Sequence, residues 1–349
     1  MRFCTVSLKF INFHKQNLHP ILILFTFVDN LKKKIFYYYL FSHNLNNSTM
    51  RKPLFMLAMF LPLSVMAQVF SVQSVEQVTL PDGCEMVADI SPDGNRLLLT
   101  TGAHEGLKSF EPSSGKTVVL TNSEGAGYEA RFAADGNTVL YRETTFTPKR
   151  LRMTSLNTVD LNTGSKLVLQ DATRDLQGVR LSGSNAMIVN KGKLKAKSFN
   201  GKKAEKQPVL SINNRQLMLT RNGKTAVFSP NGTDHSYIWP SLSPDGQKVL
   251  YYVCGVGAFV CDLNGKNIKS LGTLRAPKWY DDSIVIGMND QDNGEVVVSS
   301  AIVATTLDGT QQTLTDNSVI AQYPKPAPKA GKIAFTTPAG QAYIINVSK

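Results

Sequence analysis

Short apolar runs recur along most of the chain, and turn-forming residues separate them. The clearest unit is Ser91-Pro92-Asp93-Gly94 followed by NRLLLT, which returns as Ser243-Pro244-Asp245-Gly246 followed by QKVLYY. Pro fixes φ, Asp hydrogen-bonds its own backbone and Gly accepts positive φ, so each tetrapeptide predicts a tight turn between two strands. Degraded versions of the unit precede NTVLY, AMIV, IVIG and KIAF, which gives six copies in all.

A second marker, a turn glycine before another apolar run, follows the first marker in five of the six copies. Self-similarity with a period in the forties and several strands per period is typical of propeller blades. We therefore predict an all-β fold, a six-bladed β-propeller of four-stranded blades over about 84–125, 126–173, 174–232, 233–272, 273–317 and 318–349. The marker glycines are Gly115, Gly164, Gly223, Gly265 and Gly309.

The last predicted blade lacks an outer strand, because the chain stops after the run QAYIINVS. The segment from Ser74 to Leu80 resembles the outer strands of other blades, and we expect it to pair with the C-terminal strand and close the ring. Closure removes sheet edges that would otherwise invite aggregation. No stretch has apolar residues at helical spacing over three turns, so almost no helix is expected.

Residues 1–49 differ from the rest, since they contain no Gly, Ala or Glu. This composition is typical of translated AT-rich non-coding DNA, and we predict a mistranslated, disordered extension. A membrane anchor is the alternative, but the apolar run from Ile21 to Val28 falls short of the roughly 20 residues that a spanning helix needs. Residues 50–67 have the n-, h- and c-regions of a signal peptide cleaved after Ala67, which predicts a periplasmic or secreted protein of residues 68–349.

Removing residues 1–67 reduces the formal net charge from +12 to +5, because those residues carry eight Lys or Arg and one acid. This modest charge does not favour a nucleic-acid partner. The mature chain would have no membrane span, and we expect a monomer. Cys254 and Cys261 flank a predicted turn, where they would form a disulfide only after a register shift.

The inner strands and their turns, as in IWPSLSPDGQKVLYY and EARFAADGNTVLY, resemble the WD40-like repeats of TolB-type six-bladed propellers over about residues 70–349. The same repeat occurs in the propellers of prolyl-oligopeptidase-like peptidases and in oligogalacturonate lyases. The resemblance implies the fold but no particular role. TolB itself also has an N-terminal α/β domain, so only the propeller part is expected here.

Candidate catalytic groups are few. His104 and His235 lack a second histidine at metal-ligand spacing, and we interpret both as surface residues without a metal or other cofactor. No G-x-S-x-G elbow is present. Asp93, Asp135 and Asp245 each precede a glycine at the same structural place, which favours turn capping over catalysis.

Candidate binding residues come from the inner strands, because loops and strands at a propeller channel carry function. Alignment of the strands on the apolar residue before each turn places one set of residues toward the channel: Asp89, Arg131, Arg180, Ser241, Lys278 and Pro326. Near the strand entries lies an aromatic and acidic rim, whose members could instead pack between blades: Glu85, Tyr128, Glu129, Tyr237, Trp239 and Tyr323. We expect Trp279 to pack between blades.

The segment 191–206 is read as the largest insertion, a hairpin from which Lys193, Lys195 and Lys197 project on one side. These lysines would recognise an anionic glycan or an acidic protein patch, or simply keep an edge solvated. The function predicted from all these features is a non-catalytic exported module that binds a protein or cell-envelope component. A carbohydrate-processing or other hydrolytic enzyme and a glycan-binding module remain the alternatives.

Overall fold

The structure, a computed structural model, describes residues 7–11, 21–29, 32–40, 68–199, 201, 204–316 and 318–349. These belong to two compact units, Met1–Leu63 and Ser64–Lys349. The first unit contains an antiparallel sheet of β1 (Ser7–Ile11), β2 (Ile21–Asp29) and β3 (Lys32–Leu40), whose order is β1-β2-β3. These strands lie within residues 1–49, for which disorder was expected. The Ile, Phe and Tyr residues of this segment favour strands. Residues 50–67 lie outside the described residues, so the signal peptide and export stay predictions.

The second unit is a propeller, and seven antiparallel sheets form its blades among the described residues. It begins with β4 (Ser71–Val78), which belongs to the last blade. Blade 1 contains β5 (Met86–Ile90), β6 (Leu97–Thr100), β7 (Leu107–Glu111) and β8 (Lys116–Thr121). Blade 2 contains β9 (Arg131–Phe132), β10 (Thr138–Phe146), β11 (Arg152–Asp160) and β12 (Lys166–Thr173). Blade 3 contains β13 (Leu176–Ser182), β14 (Asn185–Asn190) and β15 (Lys193–Ser198).

The remaining blades continue in chain order, and a single turn of 3-10 helix at Pro328–Ala330 interrupts the last one. Blade 4 contains β16 (Val209–Asn213), β17 (Gln216–Arg221) and β18 (Lys224–Val227). Blade 5 contains β19 (Tyr237–Leu242), β20 (Lys248–Val253), β21 (Gly257–Asp262) and β22 (Lys269–Ser270). Blade 6 contains β23 (Arg275–Trp279), β24 (Ile284–Asp292), β25 (Val297–Thr306) and β26 (Gln311–Thr313). Blade 7 contains β27 (Gln322–Ala327), β28 (Lys332–Thr336), β29 (Ala342–Ser348) and β4.

The hydrophobic core lies between the blades. Seven clusters of buried apolar side chains each join two adjacent blades, and together they account for every interface around the ring. Between blades 7 and 1, for example, Leu97 and Leu99 pack with Ala334 and Ile344. Each sheet is therefore buried on both faces, which explains why its central strands have continuous apolar runs.

The Ser-Pro-Asp-Gly units form the turns from inner strands to second strands, as predicted. In the turn after β19, the Ser243 hydroxyl donates to Asp245 Oδ1 at 2.5 Å and accepts from the Lys248 amide at 2.9 Å. Gly246, at φ +75°, donates its amide to the Ser243 carbonyl at 2.8 Å. The turn after β5 repeats these contacts through Ser91 and Asp93.

The β-propeller class is confirmed, but the predicted number of six blades is wrong. The segment 174–232, interpreted as one blade, contains blades 3 and 4, each of three strands. Asn214 and Arg215 form the two-residue turn between β16 and β17, with φ of +48° and +69°. Such type I′ turns suit a tight hairpin without an Asp-Gly marker, so the additional blade was not visible in the repeat.

The predicted closure is confirmed. β4 pairs antiparallel with β29, with Val75 opposite Ile345 and Val78 opposite Ala342. Just before β4, Phe70 is 1% exposed and packs in the cluster between blades 6 and 7. The chain's first described propeller residues therefore complete its last blade.

Two further features concern cysteines and membranes. Cys84, Cys254 and Cys261 are free thiols, so the two cysteines flanking the turn after β20 are not joined. In the part of the chain that the structure describes, no helix has the length and apolarity required to cross a membrane.

Candidate functional site

The first strands of the seven blades surround the central channel. β5 contacts β27 and β9, β16 contacts β13 and β19, and β23 contacts β19 and β27. Residues alternate sides along a strand, so each inner strand directs part of its side chains toward the channel axis. The register of each inner strand therefore decides which of its side chains meet in the channel.

Irregularities in these strands change which residues face the channel. Glu129, Trp239, Ala276 and Tyr323 have φ between +45° and +54°, a region that residues other than glycine rarely adopt. In blades 5, 6 and 7 the positive φ coincides with a register shift in the pairing of the first two strands. Such bulges reorient side chains and are frequent beside functional sites.

The channel widens into a cavity of about 1320 Å³ beside blades 2 to 5. It follows much of β13 and β19, and it reaches the ends of both strands at Ser182 and Ser243. Among the described lining residues, the charged set is dominated by arginine: Arg131, Arg142, Arg152, Arg174 and Arg180, against Glu124 and Glu129. The cavity wall is therefore electropositive and suits an anionic ligand.

Several of these arginines are held in place by the protein. Arg142 forms an ion pair with Glu129 at 2.7 Å, donates to the Tyr128 carbonyl at 3.1 Å, and lies over the Tyr128 ring at 5.4 Å. Arg152 donates to Thr144 Oγ1 at 3.2 Å. Arg180 donates to the Pro208 carbonyl at 3.3 Å. A guanidinium has five donors, so these contacts leave most of them available to a ligand.

His104 also lines the cavity, so the interpretation of it as a surface histidine is wrong. Its ring lies edge-on to Tyr128 with centroids 5.8 Å apart, and its Nδ1 is buried without a hydrogen-bond partner among the described residues. Burial and the charge of Lys325 lower the pKa of His104. The imidazole is therefore neutral near pH 7 and can accept a proton or a hydrogen bond.

Five charged residues from the inner strands or the turn before β9 form what we call the channel cluster: Asp89, Glu129, Arg131, Lys278 and Lys325. Two of them, Glu129 and Arg131, also line the cavity, so the cluster and the cavity are continuous. Burial, together with the nearby charges of Lys325 and Arg131, lowers the pKa of Lys278 to about 7. Burial also lowers the pKa of Lys325.

The two carboxyl groups of the cluster have opposite shifts. Burial raises the pKa of Asp89. This effect outweighs the hydrogen bond that its Oδ2 accepts from the Phe132 amide at 2.8 Å, which lowers the pKa. Burial would also raise the pKa of Glu129, but the guanidinium groups of Arg142 and Arg131 outweigh this effect and lower it. Environments that separate two carboxyl pKa values in this way are typical of sites where protons are transferred.

The structure brings together six of the eleven candidate residues in the cavity wall: Tyr128, Glu129, Arg131, Arg180, Tyr237 and Trp239. Lys278 lies beside the wall, in the channel cluster. Tyr323 is 38% exposed and is not among the described residues that line the cavity. Lys193, Lys195 and Lys197 are exposed on β15, the outer strand of blade 3 rather than an insertion.

Tyr237 is not a binding anchor. Its side chain is 1% exposed and packs between blades 4 and 5, while its hydroxyl accepts from the Asn231 amide and donates to the Gly232 carbonyl. A tyrosine whose hydroxyl and ring are both satisfied internally has little left to offer a ligand. Trp279 packs between blades 5 and 6, as expected.

Sequence reasoning missed several residues of the site. Lys325 was overlooked because the strand pairing in blade 7 extends one residue closer to the turn: Ala327 pairs with Lys332, whereas Ile90 pairs with Leu97 in blade 1, so the aligned position fell on Pro326. Arg142 and Arg152 lie on the second and third strands of blade 2, which the alignment of inner strands did not include. The length of the β10–β11 hairpin was the only signal for them.

The site does not resemble a metal centre. Among the described residues, no group of three or more His, Cys, Asp or Glu side chains is placed to hold a metal ion.

No protein-family profile matches the chain, and no curated protein matches it. Solved structures do match it in fold. An oligogalacturonate lyase in complex with manganese has a TM-score of 0.44 and 15% identity, covering 78% of this chain and 79% of its own. An oligogalacturonate lyase from Vibrio parahaemolyticus has a TM-score of 0.41 and 11% identity, covering 98% of each chain.

These findings correct two predictions. Both solved structures are of enzymes, so the prediction of a non-catalytic binding module, and of no enzymatic activity, is wrong on this comparison. At this identity the likeness concerns the fold alone, and seven blades differ from the six of the TolB type. A protein or envelope partner stays a prediction.

Proposed function

We propose that the chain is a carbohydrate-processing enzyme that acts on an acidic oligosaccharide in the channel. The observation that carries the proposal is the cavity of about 1320 Å³ with five arginines in its wall. Ligand pockets for drug-sized molecules are usually about 300–1,000 Å³, so this cavity is large enough for several sugar rings. Arginine binds acidic groups through paired hydrogen bonds, which gives both affinity and orientation.

Aromatic residues supply the second requirement for a saccharide. Tyr128 and Trp239 both line the cavity, and half of the Tyr128 side chain is exposed. An aromatic face offers an apolar surface to the C–H side of a sugar ring, while the ring hydroxyls bond to neighbouring polar groups. The cavity therefore combines flat apolar surfaces with cationic groups, which an acidic saccharide needs.

The channel cluster provides groups for proton transfer. Lys278, with its pKa near 7, can accept or release a proton near neutral pH. Asp89 and Glu129 have pKa values shifted in opposite directions, so Asp89 holds a proton more readily than Glu129 does. Arg131 and Arg142 orient Glu129 and contribute positive charge where negative charge would develop in the substrate.

Incubation of the full chain with oligomers of uronic acids tests this function. Mass spectrometry of the products would distinguish hydrolysis, which adds water, from elimination, which leaves an unsaturated sugar. We expect Arg180→Ala to reduce turnover at low substrate about tenfold or more, since a charged hydrogen bond contributes about 1.5–3 kcal/mol.

Arg221→Ala is the matched control, because Arg221 is exposed at the end of β17. It should leave turnover unchanged. Failure of wild-type protein to alter any acidic oligosaccharide, or equal turnover by the Arg180 variant, would contradict the proposed function.

A further inference from the structure

Two ammonium groups of the channel cluster lack a direct partner among the described residues, although the charges of Asp89 and Glu129 act on both. Lys278 on β23 and Lys325 on β27 lie on adjacent inner strands, and their charges act on each other. Among the described residues, neither side chain has a hydrogen bond or an ion pair. Arg131, on β9, acts on both lysines and has no hydrogen-bond partner in the same part of the chain.

The carboxylates nearby are already engaged. Glu129 forms an ion pair with Arg142 at 2.7 Å, and Asp89 accepts a hydrogen bond from the Phe132 amide. Arg131, Arg142, Lys278 and Lys325 together face two carboxylates, which leaves a surplus of two positive charges when all groups are ionised. Partly buried charges are costly unless they are paired, so the cluster favours an additional anion.

The size of the surplus indicates the charge of that anion. One carboxylate would neutralise half of it, and a bidentate contact with a single arginine would satisfy that carboxylate. A group with two negative charges and several oxygens could accept hydrogen bonds from both lysines and from Arg131 at once. A phosphate monoester is dianionic near neutral pH and has three terminal oxygens for such contacts.

We propose that Lys278, Lys325 and Arg131 form a binding site for a dianionic oxyanion, such as phosphate. The site rests on the proposed function and deepens it, since it adds a phosphate ester to the carboxylates as an acidic group of the saccharide. Free phosphate and a sugar phosphate share this chemistry and are separated by the experiment below. Binding of the anion can be measured whether or not the chain is an enzyme.

Anion binding should be coupled to protonation of Lys278. The charged groups that face Lys278 are Lys325, Arg131, Glu129 and Asp89, from β27, β9, the turn before β9, and β5. A bound dianion outweighs the repulsion from the two cations and favours the protonated lysine. The protein therefore takes up a proton on binding, and affinity falls as the pH rises above the pKa of the free lysine.

Calorimetric titration of the full chain with sulfate at constant ionic strength tests the site, because sulfate remains dianionic across the range. We expect binding to be about tenfold or more weaker at about pH 9 than at about pH 7, which corresponds to about 1.4 kcal/mol. Lys278→Met should weaken binding at the lower pH and remove the pH dependence. Lys325→Met should also weaken binding, and it serves as the second variant if the first does not fold.

Lys269→Met is the control, since Lys269 is exposed on β22 and should not affect binding. Tighter binding of a sugar phosphate than of inorganic phosphate supports the saccharide as the source, and equal binding supports the free ion. Acetate binding as tightly as sulfate would overturn the dianion site. Absence of sulfate binding by wild-type protein would also overturn it, while cleavage of uronic-acid oligomers would leave the proposed function standing.

Discussion

At the scale of single residues, the channel cluster shows how a fold maintains an unfavourable set of charges. Lys278 and Lys325 are surrounded by other inner strands and repel each other and Arg131. A lysine in this position destabilises the folded state in its charged form, because it loses hydration without gaining a partner. Such cost is typical of functional sites, where the missing partner is the ligand.

Lys278→Met should therefore stabilise the protein at low pH. The pKa of Lys278 is about 7 in the folded state and about 10.4 when unfolded, so the unfolded state binds more protons between these values and wild-type stability rises with pH there. We expect the variant to be more stable by up to a few kcal/mol near pH 6, with the difference nearly lost near pH 10. Urea unfolding of both proteins across this range measures the effect. A difference that does not change with pH would show that Lys278 is not desolvated.

At the scale of elements, the Ser-Pro-Asp-Gly turn determines how an inner strand joins the next strand. Ser243 is 1% exposed, and its hydroxyl connects the Lys248 amide to the Asp245 carboxylate within the turn. The same hydroxyl thus satisfies a backbone donor and fixes the carboxylate that caps the turn. A buried amide left without a partner costs about 1–3 kcal/mol.

We expect Ser243→Ala to reduce the free energy of unfolding by about 1–3 kcal/mol, because the Lys248 amide loses its acceptor. Ser114→Ala is the matched control: Ser114 lies in an exposed turn, where its hydroxyl donates to Glu111, and its loss should cost no more than about 0.5 kcal/mol. Chemical denaturation of the three proteins compares them. Equal destabilisation by both variants would refute a special role for the buried turn serine.

These turns also explain what could be predicted from sequence. Six blades carry an Asp-Gly turn or a recognisable derivative, so strand order, closure and the all-β class were readable. Blade 4 uses the two-residue turn Asn214-Arg215, whose positive φ values require no Asp-Gly pair. The one-residue offset at the turn after β27 likewise leaves no mark in a single sequence, since Pro328-Lys329-Ala330-Gly331 has the same length as the Ser-Pro-Asp-Gly unit. Site residues on inner strands were therefore found where the turn had the expected length, as for Asp89 and Lys278, and missed where it did not, as for Lys325.

At the scale of the whole molecule, the ring depends on contacts between its two ends. Seven clusters of apolar residues occupy seven interfaces, so no interface can be lost without exposing one of them. The N-terminal segment contributes twice, since β4 completes blade 7 while the residues before it contact blade 6. The Gln312 side chain on β26 accepts from the Val69 and Phe70 amides and donates to the Phe70 carbonyl, at 2.7–2.8 Å.

Phe70 is the side chain on which this closure depends most. It packs edge-on to Tyr280 of blade 6 with centroids 4.7 Å apart, in a cluster that includes Phe335 and Ile345 of blade 7. We expect Phe70→Ala to lower the free energy of unfolding by about 3–5 kcal/mol, because removal of a buried phenyl ring leaves a cavity.

Val72→Ala is the control for this prediction: Val72 lies on β4 but is 36% exposed, and its truncation should cost far less. Thermal and urea unfolding measure both variants. The first and last residues of the propeller meet at this cluster. Its loss should therefore make the β4 backbone amides exchange with solvent faster than in the wild-type protein, while exchange in β14 of blade 3 changes less. Similar stability of the two variants, with unchanged exchange in β4, would show that the ring is held closed without Phe70.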